Sequence, residues 1–290
     1  MELRTHVKVF LDSISEEDPA PPMDAVELRR RQKSRTIALE QRPSVWNVED
    51  MSIPLPERNI PIRVYTPNES RELPLLLYFH GGGFCIGSLE SHDVTCRHLA
   101  NKLGWKVIAV DYRLAPEHPF PAGVEDCYAV AKWCSDNAPS LNINPSMIAV
   151  AGDSSGGTFA TAVTIMARDR GTPPLHKQVL IYPNTEFHQS LVPSKYESYA
   201  ECGSKYLTTE QGIGQFWSWY MPDVRQAYDA YASPIKASHL SDLPPALVLT
   251  AEYDPLRDEG EAYAYRLQES GVRVRLIRYG GTIHGFLAHL

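Results

Sequence analysis

The chain has 290 residues, 43% of them apolar and 22% charged, and a net charge of −7 at pH 7. Those proportions suit a globular chain with a large core, and α/β enzymes of this length often form one unit, so a single domain over residues 1–290 is expected. The acidic balance argues against nucleic acid or an anionic membrane as partner, because either needs a basic face. The run Arg29-Arg30-Arg31 reads as a solvated helix face rather than a binding patch.

No stretch approaches the roughly 20 apolar residues of a membrane span. No apolar segment of signal-peptide length follows Met1. The five cysteines, Cys85, Cys96, Cys127, Cys134 and Cys202, are odd in number and lack C-x-x-C spacing. Reduced thiols in a cytoplasmic setting are the simplest reading.

In chain order, Val7, Phe10, Leu11 and Ile14 recur at helical spacing until Pro19, Pro21 and Pro22 end the pattern. A second helix is expected from about Asp24 to Glu40, and strands begin near Val45. Residues 60–66 alternate, as a half-exposed strand does. By contrast Leu75–Phe79, Val107–Val110, Met147–Val150, Val179–Tyr182 and Ala246–Thr250 are unbroken apolar runs, the mark of strands buried on both faces. Residues 272–279 alternate again. Helices are expected over 122–137, 155–169 and 257–270, the last closed by Gly271. Strands alternating with helices imply a mainly parallel sheet covered on both sides, an α/β fold. The stretch from about 186 to 243 departs from that rhythm. Its cluster Phe216, Trp217, Trp219 and Tyr220 fits either an insertion lining a pocket or a helix with an aromatic core face.

Four short motifs carry chemistry. Gly152-Asp153-Ser154-Ser155-Gly156 is a G-x-S-x-G between a buried strand and a helix, the context in which the central serine becomes a nucleophile. Glycines are needed because the turn is sharp and neighbouring segments come close. His80-Gly81-Gly82-Gly83-Phe84 follows another buried strand. Such a loop offers backbone N–H groups to an oxyanion, so the expected donors are Gly82, Gly83 and Ser155. His80 itself reads as structural.

Asp254 and His284 complete the order serine, acid, histidine, each just past a strand, at the rim where open α/β sheets place their sites. His284 is the expected general base and Asp254 its orienting acid. For Asp254 a helix cap is the competing role, one that Asp258 could share. His289 is a weaker competitor for the base. Phe84 and Trp217 are the candidate substrate contacts.

Together with Asp111-Tyr112-Arg113-Leu114-Ala115-Pro116-Glu117-His118, Asp254-Pro255-Leu256-Arg257-Asp258 and His284-Gly285-Phe286, these motifs resemble the hormone-sensitive-lipase-like carboxylesterases, the bacterial family IV. The resemblance covers nearly the whole chain. It implies an α/β-hydrolase fold with an eight-stranded, mostly parallel sheet. It also implies a helical cap made by residues 1–44 and about 186–243, and hydrolysis of small-molecule esters with short to medium acyl chains through an acyl-enzyme, with no cofactor and no metal. Two departures stand out. Ser155 replaces the usual Ala, which leaves the N–H unchanged. The sequence also ends at Leu290, soon after His284, where relatives continue into a further helix. The expected consequence is exposed apolar sheet surface, with lower stability or a homo-oligomer that covers it. An amidase or deacetylase with the same three residues, or a non-catalytic binder of the same fold, are the alternative functions.

Overall fold

The computed structural model describes residues 2–15, 24–34, 37–56, 58–189 and 192–289. Among them, eight strands form one sheet in the order β1-β2-β4-β3-β5-β6-β7-β8. The strands are β1 (Asn47–Pro54), β2 (Asn59–Thr66), β3 (Leu73–Phe79), β4 (Lys106–Val110), β5 (Ile143–Asp153), β6 (Lys177–Ile181), β7 (Ala246–Tyr253) and β8 (Val274–Ile283). Only the β1–β2 and β2–β4 pairings are antiparallel; the others are parallel.

The apolar runs are divided between two cores by side-chain alternation. Leu75, Leu77, Phe79, Ile108, Val110, Ile148 and Val150 enter a large core with residues of α4 (Ala122–Asp136), α5 (Ser155–Arg170) and α8 (Arg257–Glu269). Leu76, Tyr78, Val107, Ala109, Ala149 and Ala151 face the other way, into a smaller core under α3 (Asp93–Leu103). Further along that second face, Val179, Leu247, Leu249 and Ile277 are half-buried.

Several boundaries differ from expectation. β5 begins at Ile143 rather than near Met147, because pairing with β3 survives the Asn144-Pro145-Ser146 interruption through a register shift between Leu73 and Leu75. β8 runs on to Ile283; its Gly280-Gly281 pair is a bulge inside the strand, with Gly281 at φ 70°. Helix α3 was not expected. Its sequence buries Asp93 and Arg97, ion-paired at 2.5 Å, so an apolar stripe is hard to see.

The N-terminal region supplies α1 (Thr5–Ser15) and α2 (Ala25–Ser34), with a short 3₁₀ turn at Leu39–Gln41. Pro19, Pro21 and Pro22, expected to end the first helix, lie outside the described residues, as do residues 35 and 36; the expected Asp24–Glu40 helix is shorter than read, since α2 covers Ala25–Ser34 and residues 37 and 38 are not helical. Arg4 fastens the chain to β8: its N–H donates to Gly281 O at 3.0 Å and its Nε to Gly280 O at 2.9 Å. Within 186–243, α6 (Glu197–Cys202) and α7 (Glu210–Tyr220) are helical, with Thr209 Oγ1 capping α7 at Gly212 N.

Candidate active site

The parallel strands bring their carboxyl ends to one rim, and the three motif residues meet there. Ser154 stands between β5 and α5 with φ 53° and ψ −122°, a conformation that disfavours a side chain. It is held on both sides. Its N–H donates to Ile181 O at 2.9 Å, and its carbonyl accepts from Gly157 N at 2.9 Å and Asn184 N at 3.3 Å. The flanking glycine is obligatory, since a Cβ on Gly156 would collide with the carbonyl oxygen of Phe79.

His284 Nε2 lies 3.0 Å from Ser154 Oγ, and His284 Nδ1 lies 2.8 Å from Asp254 Oδ2. A carboxylate at Nδ1 fixes the ring proton there and leaves Nε2 free to accept from the serine hydroxyl. Burial works against the charged imidazole, but the Asp254 carboxylate, its hydrogen bond and the more distant Asp153 and Glu259 outweigh it, so the His284 pKa is raised above 6.5. Tyr182 packs its ring 4.7 Å from that of His284.

Asp254 is wholly buried and serves two partners. Oδ2 faces His284, while Oδ1 accepts from Leu256 N–H at 2.8 Å. The cap and acid readings therefore coexist in one carboxylate. Asp258 is engaged elsewhere, with Ser198 N–H at 2.8 Å and Arg257 Nε at 2.7 Å. The side chain of His289 lies outside the described part of the chain.

The loop after β3 is shaped by a neighbour of the serine. Asp153 Oδ1 accepts from Gly81 N–H at 2.9 Å and from Tyr78 OH at 2.7 Å. Burial alone would raise its pKa; His92 and those two donors lower it to about 2. Tyr112, from the segment after β4, donates to His80 O at 2.6 Å. Thus held, Gly82 and Gly83 adopt φ 127° and 57°. Among the described residues their N–H groups donate to nothing, and Ser155, opening α5, leaves its own N–H without an intrahelical acceptor. Among the described residues these three N–H groups have no acceptor.

Two candidate contacts need correction. Phe84 and Trp217 are fully buried in an aromatic core, Phe84 stacked on Tyr220 at 4.0 Å and 4.8 Å from Trp217. Helix phase decides this: α7 turns Trp217 inward and its neighbour Phe216 toward the glycines, where the Phe216 ring lies against Gly83. Phe216 is half-buried and lies against Gly83, whereas Trp217 is wholly buried.

The basic run is also not uniformly solvated. Arg30 and Arg31 pair with Glu27 on their own helix, but Arg29 donates to Cys85 O and Ala115 O at 2.6 and 2.7 Å and grips Glu117 with two hydrogen bonds. Gln32 Oε1 accepts from Gly87 N–H at 2.8 Å. Together they tie α2 to the loop that follows the glycines.

Sequence reasoning also missed Glu259, whose roles depend on residues far away in the chain. Burial pushes its carboxyl up to about 7, even though Asn184, Tyr199 and the backbone of Thr185 and Glu186 all donate to it. It lines a cavity of about 270 Å³ with Phe187, His188, Tyr196 and Tyr199. Among the described residues no group of three or more His, Cys, Asp or Glu is placed to hold a metal ion.

A serine, histidine and aspartate meeting at the carboxyl rim of a doubly covered, mostly parallel sheet define the class of α/β-hydrolases. The family model for the alpha/beta hydrolase fold matches residues 76–288, and the chain belongs to that family. More particularly, it is a hormone-sensitive-lipase-like carboxylesterase. It is 37% identical over 298 residues to Esterase LipI of Mycobacterium tuberculosis, spanning 96% of this chain and 92% of the other. It is 35% identical over 275 residues to an ethyl acetate hydrolase of Pseudomonas putida, spanning 93% and 85%. Its backbone matches the solved hyperthermophilic esterase of the archaeon Pyrobaculum calidifontis with a TM-score of 0.93 at 44% identity, covering 100% of this chain and 92% of that one.

Proposed function

We propose that the chain hydrolyses carboxylic esters of short to medium acyl length by a two-step mechanism centred on Ser154. The supporting observation is the continuous hydrogen-bonded line from Ser154 Oγ through His284 to Asp254, at 3.0 and 2.8 Å. Ser154 Oγ attacks the ester carbonyl while His284 Nε2 takes the hydroxyl proton. The negative oxygen of the tetrahedral intermediate is met by the N–H groups of Gly82, Gly83 and Ser155, which need no reorganisation to receive it. Collapse expels the alcohol, which leaves with the proton from His284, and an acyl-Ser154 ester remains. Water then attacks, giving its proton to His284, and release of the acid returns the proton to Ser154. Asp254 holds the tautomer and favours the transient imidazolium.

Residues 1–44 and about 186–243 form a cap in this reading. Its support is the grip of Arg29 and Gln32 on the loop after the glycines and the placement of Phe216 on Gly83. Phe216 is then the wall that senses acyl length. A small substrate agrees with the name of the ethyl acetate hydrolase relative. A cytoplasmic location is supported by five buried, unpaired cysteines; no helix among the described residues is long and apolar enough to cross a membrane.

Aryl esters from acetate to decanoate, with the matching anilides and an organophosphonate control, test the reading. Hydrolysis that favours the shorter esters over anilides and stops when Ser154 is phosphonylated is expected. Turnover that persists after complete phosphonylation of Ser154 would remove the mechanism.

A further inference from the structure

The strained turn at Ser154 is held from outside its own motif, and the hold leads to a single carboxylate. The carbonyl of Ser154 accepts from the N–H of Asn184, the first of three residues that turn around Glu259. Glu259 Oε1 accepts from Asn184 Nδ2 at 2.7 Å, from Thr185 N–H at 2.6 Å and, more weakly, from Glu186 N–H at 3.4 Å. Thr185 Oγ1 returns a bond to the carbonyl of Glu259 at 3.1 Å. Thr158, one turn into α5, donates its hydroxyl to Asn184 O. The 184–186 turn is therefore clamped between the nucleophile's helix and Glu259.

The same carboxylate reaches the overlying helix. Its Oε2 accepts from Tyr199 OH at 2.9 Å. A second tie lies beside it: Ser198 Oγ donates to Pro255 O at 2.6 Å, next to Asp254. Glu259 thus sits where the serine turn, the acid loop and α6 come together, and the three-residue mechanism uses none of its atoms.

We propose that Glu259 is a positioning residue for ester hydrolysis: by holding the 184–186 turn it keeps Ser154 in its strained conformation and joins α6 to that geometry. The inference rests on the reading of Ser154 as nucleophile. Strained backbone persists only where its surroundings over-determine it, and here one carboxylate supplies acceptors for both backbone and side chain of the supporting turn. Acceptor geometry rather than charge performs the task. A glutamine can keep its oxygen toward Asn184 and Thr185 while its amide donates to the Tyr199 oxygen.

The test compares Glu259→Ala and Glu259→Gln on an aryl acetate, with kcat expressed per site titrated by an organophosphonate. The alanine variant should lose kcat by roughly 10²-fold, the usual cost of about 1 Å of misplacement. Its rate of phosphonylation should fall in parallel and its KM should stay near that of the parent. The glutamine variant should recover most of the loss. A parent-like kcat per titrated site in Glu259→Ala, a change confined to KM, or a glutamine variant as slow as the alanine one would each overturn the proposal. Should Glu259→Ala fail to fold, Asn184→Ala carries the test: a smaller kcat loss in the same direction is expected, and parent-like kcat overturns it. The underlying reading is checked separately on the parent. A parent that phosphonate does not label, or a Ser154→Ala variant that still turns over, sinks the nucleophile itself, whereas a normal parent with normal Glu259 variants sinks only the positioning role.

Discussion

The loops that follow β3 and β8 begin alike, His80-Gly81 and His284-Gly285, at the same rim of the sheet. Both imidazoles are buried, yet their protonation tendencies are opposite. Burial, helped by nearby His92, drives His80 down to about 3. Its ring stacks on Tyr112 at 4.3 Å, and among the described residues Nε2 has no partner. His284 is raised instead, because Asp254 stands at its Nδ1. The carboxylate near His80, Asp153, is used on Gly81 N–H and Tyr78 OH. Burial sets the cost of a charge, and the placement of one carboxylate decides which histidine can carry it.

The strongest way to break this contrast is to remove the working pair. Ser154→Ala and His284→Ala should each lower kcat on the order of 10⁶-fold, as in subtilisin, in steady-state hydrolysis of an aryl acetate. Asp254→Asn should cost about 10⁴-fold by leaving the wrong tautomer; a loss of only a few-fold would mean that burial alone organises His284. Next comes the pair on α7. Trp217→Ala should destabilise the fold by about 3–5 kcal/mol, seen in denaturant unfolding, with acyl preference little changed. Phe216→Ala should reverse that pattern and extend activity toward longer acyl chains. If the two effects exchange places, the helix phase described above is wrong.

The smallest effect is in the pH profile. The base must be neutral and its pKa is raised, so kcat/KM should fall as pH drops through a value above 6.5. The linked stability runs the other way: the Asp254–imidazolium pair stabilises the fold fully below pH 6.5 and loses that contribution as pH rises through the raised value. His80→Phe keeps a flat ring beside Tyr112 and should leave the acid limb in place. A limb that moves with His80 would show that the two histidines titrate together.

What could be read from the residues was whatever is local. Ser154, His284, Asp254 and the glycines sit in short motifs at the ends of apolar runs, and chain order alone arranges them. The sheet was equally visible, because strands buried on both faces need unbroken apolar sequence. What stayed hidden depends on distance or on phase. Nothing near Glu259 in sequence announces Asn184 or Tyr199. Arg29 looked like any surface arginine until the carbonyls of Cys85 and Ala115 met it. One residue of helical phase separates Phe216 from Trp217, finer than an aromatic cluster can specify. Helix α3 was obscured because its buried face includes an ion pair.

The tether of Arg4 to the bulge in β8 bears on how the molecule is made. During synthesis Arg4 leaves the ribosome 276 residues ahead of Gly280, its acceptor. The bonds that seat the amino-terminal segment on β8 therefore cannot form until the strand that delivers His284 has been made. Closure of that seam and completion of the imidazole's surroundings thus fall at the same late moment, so a nascent chain can carry a finished serine turn without being able to use it.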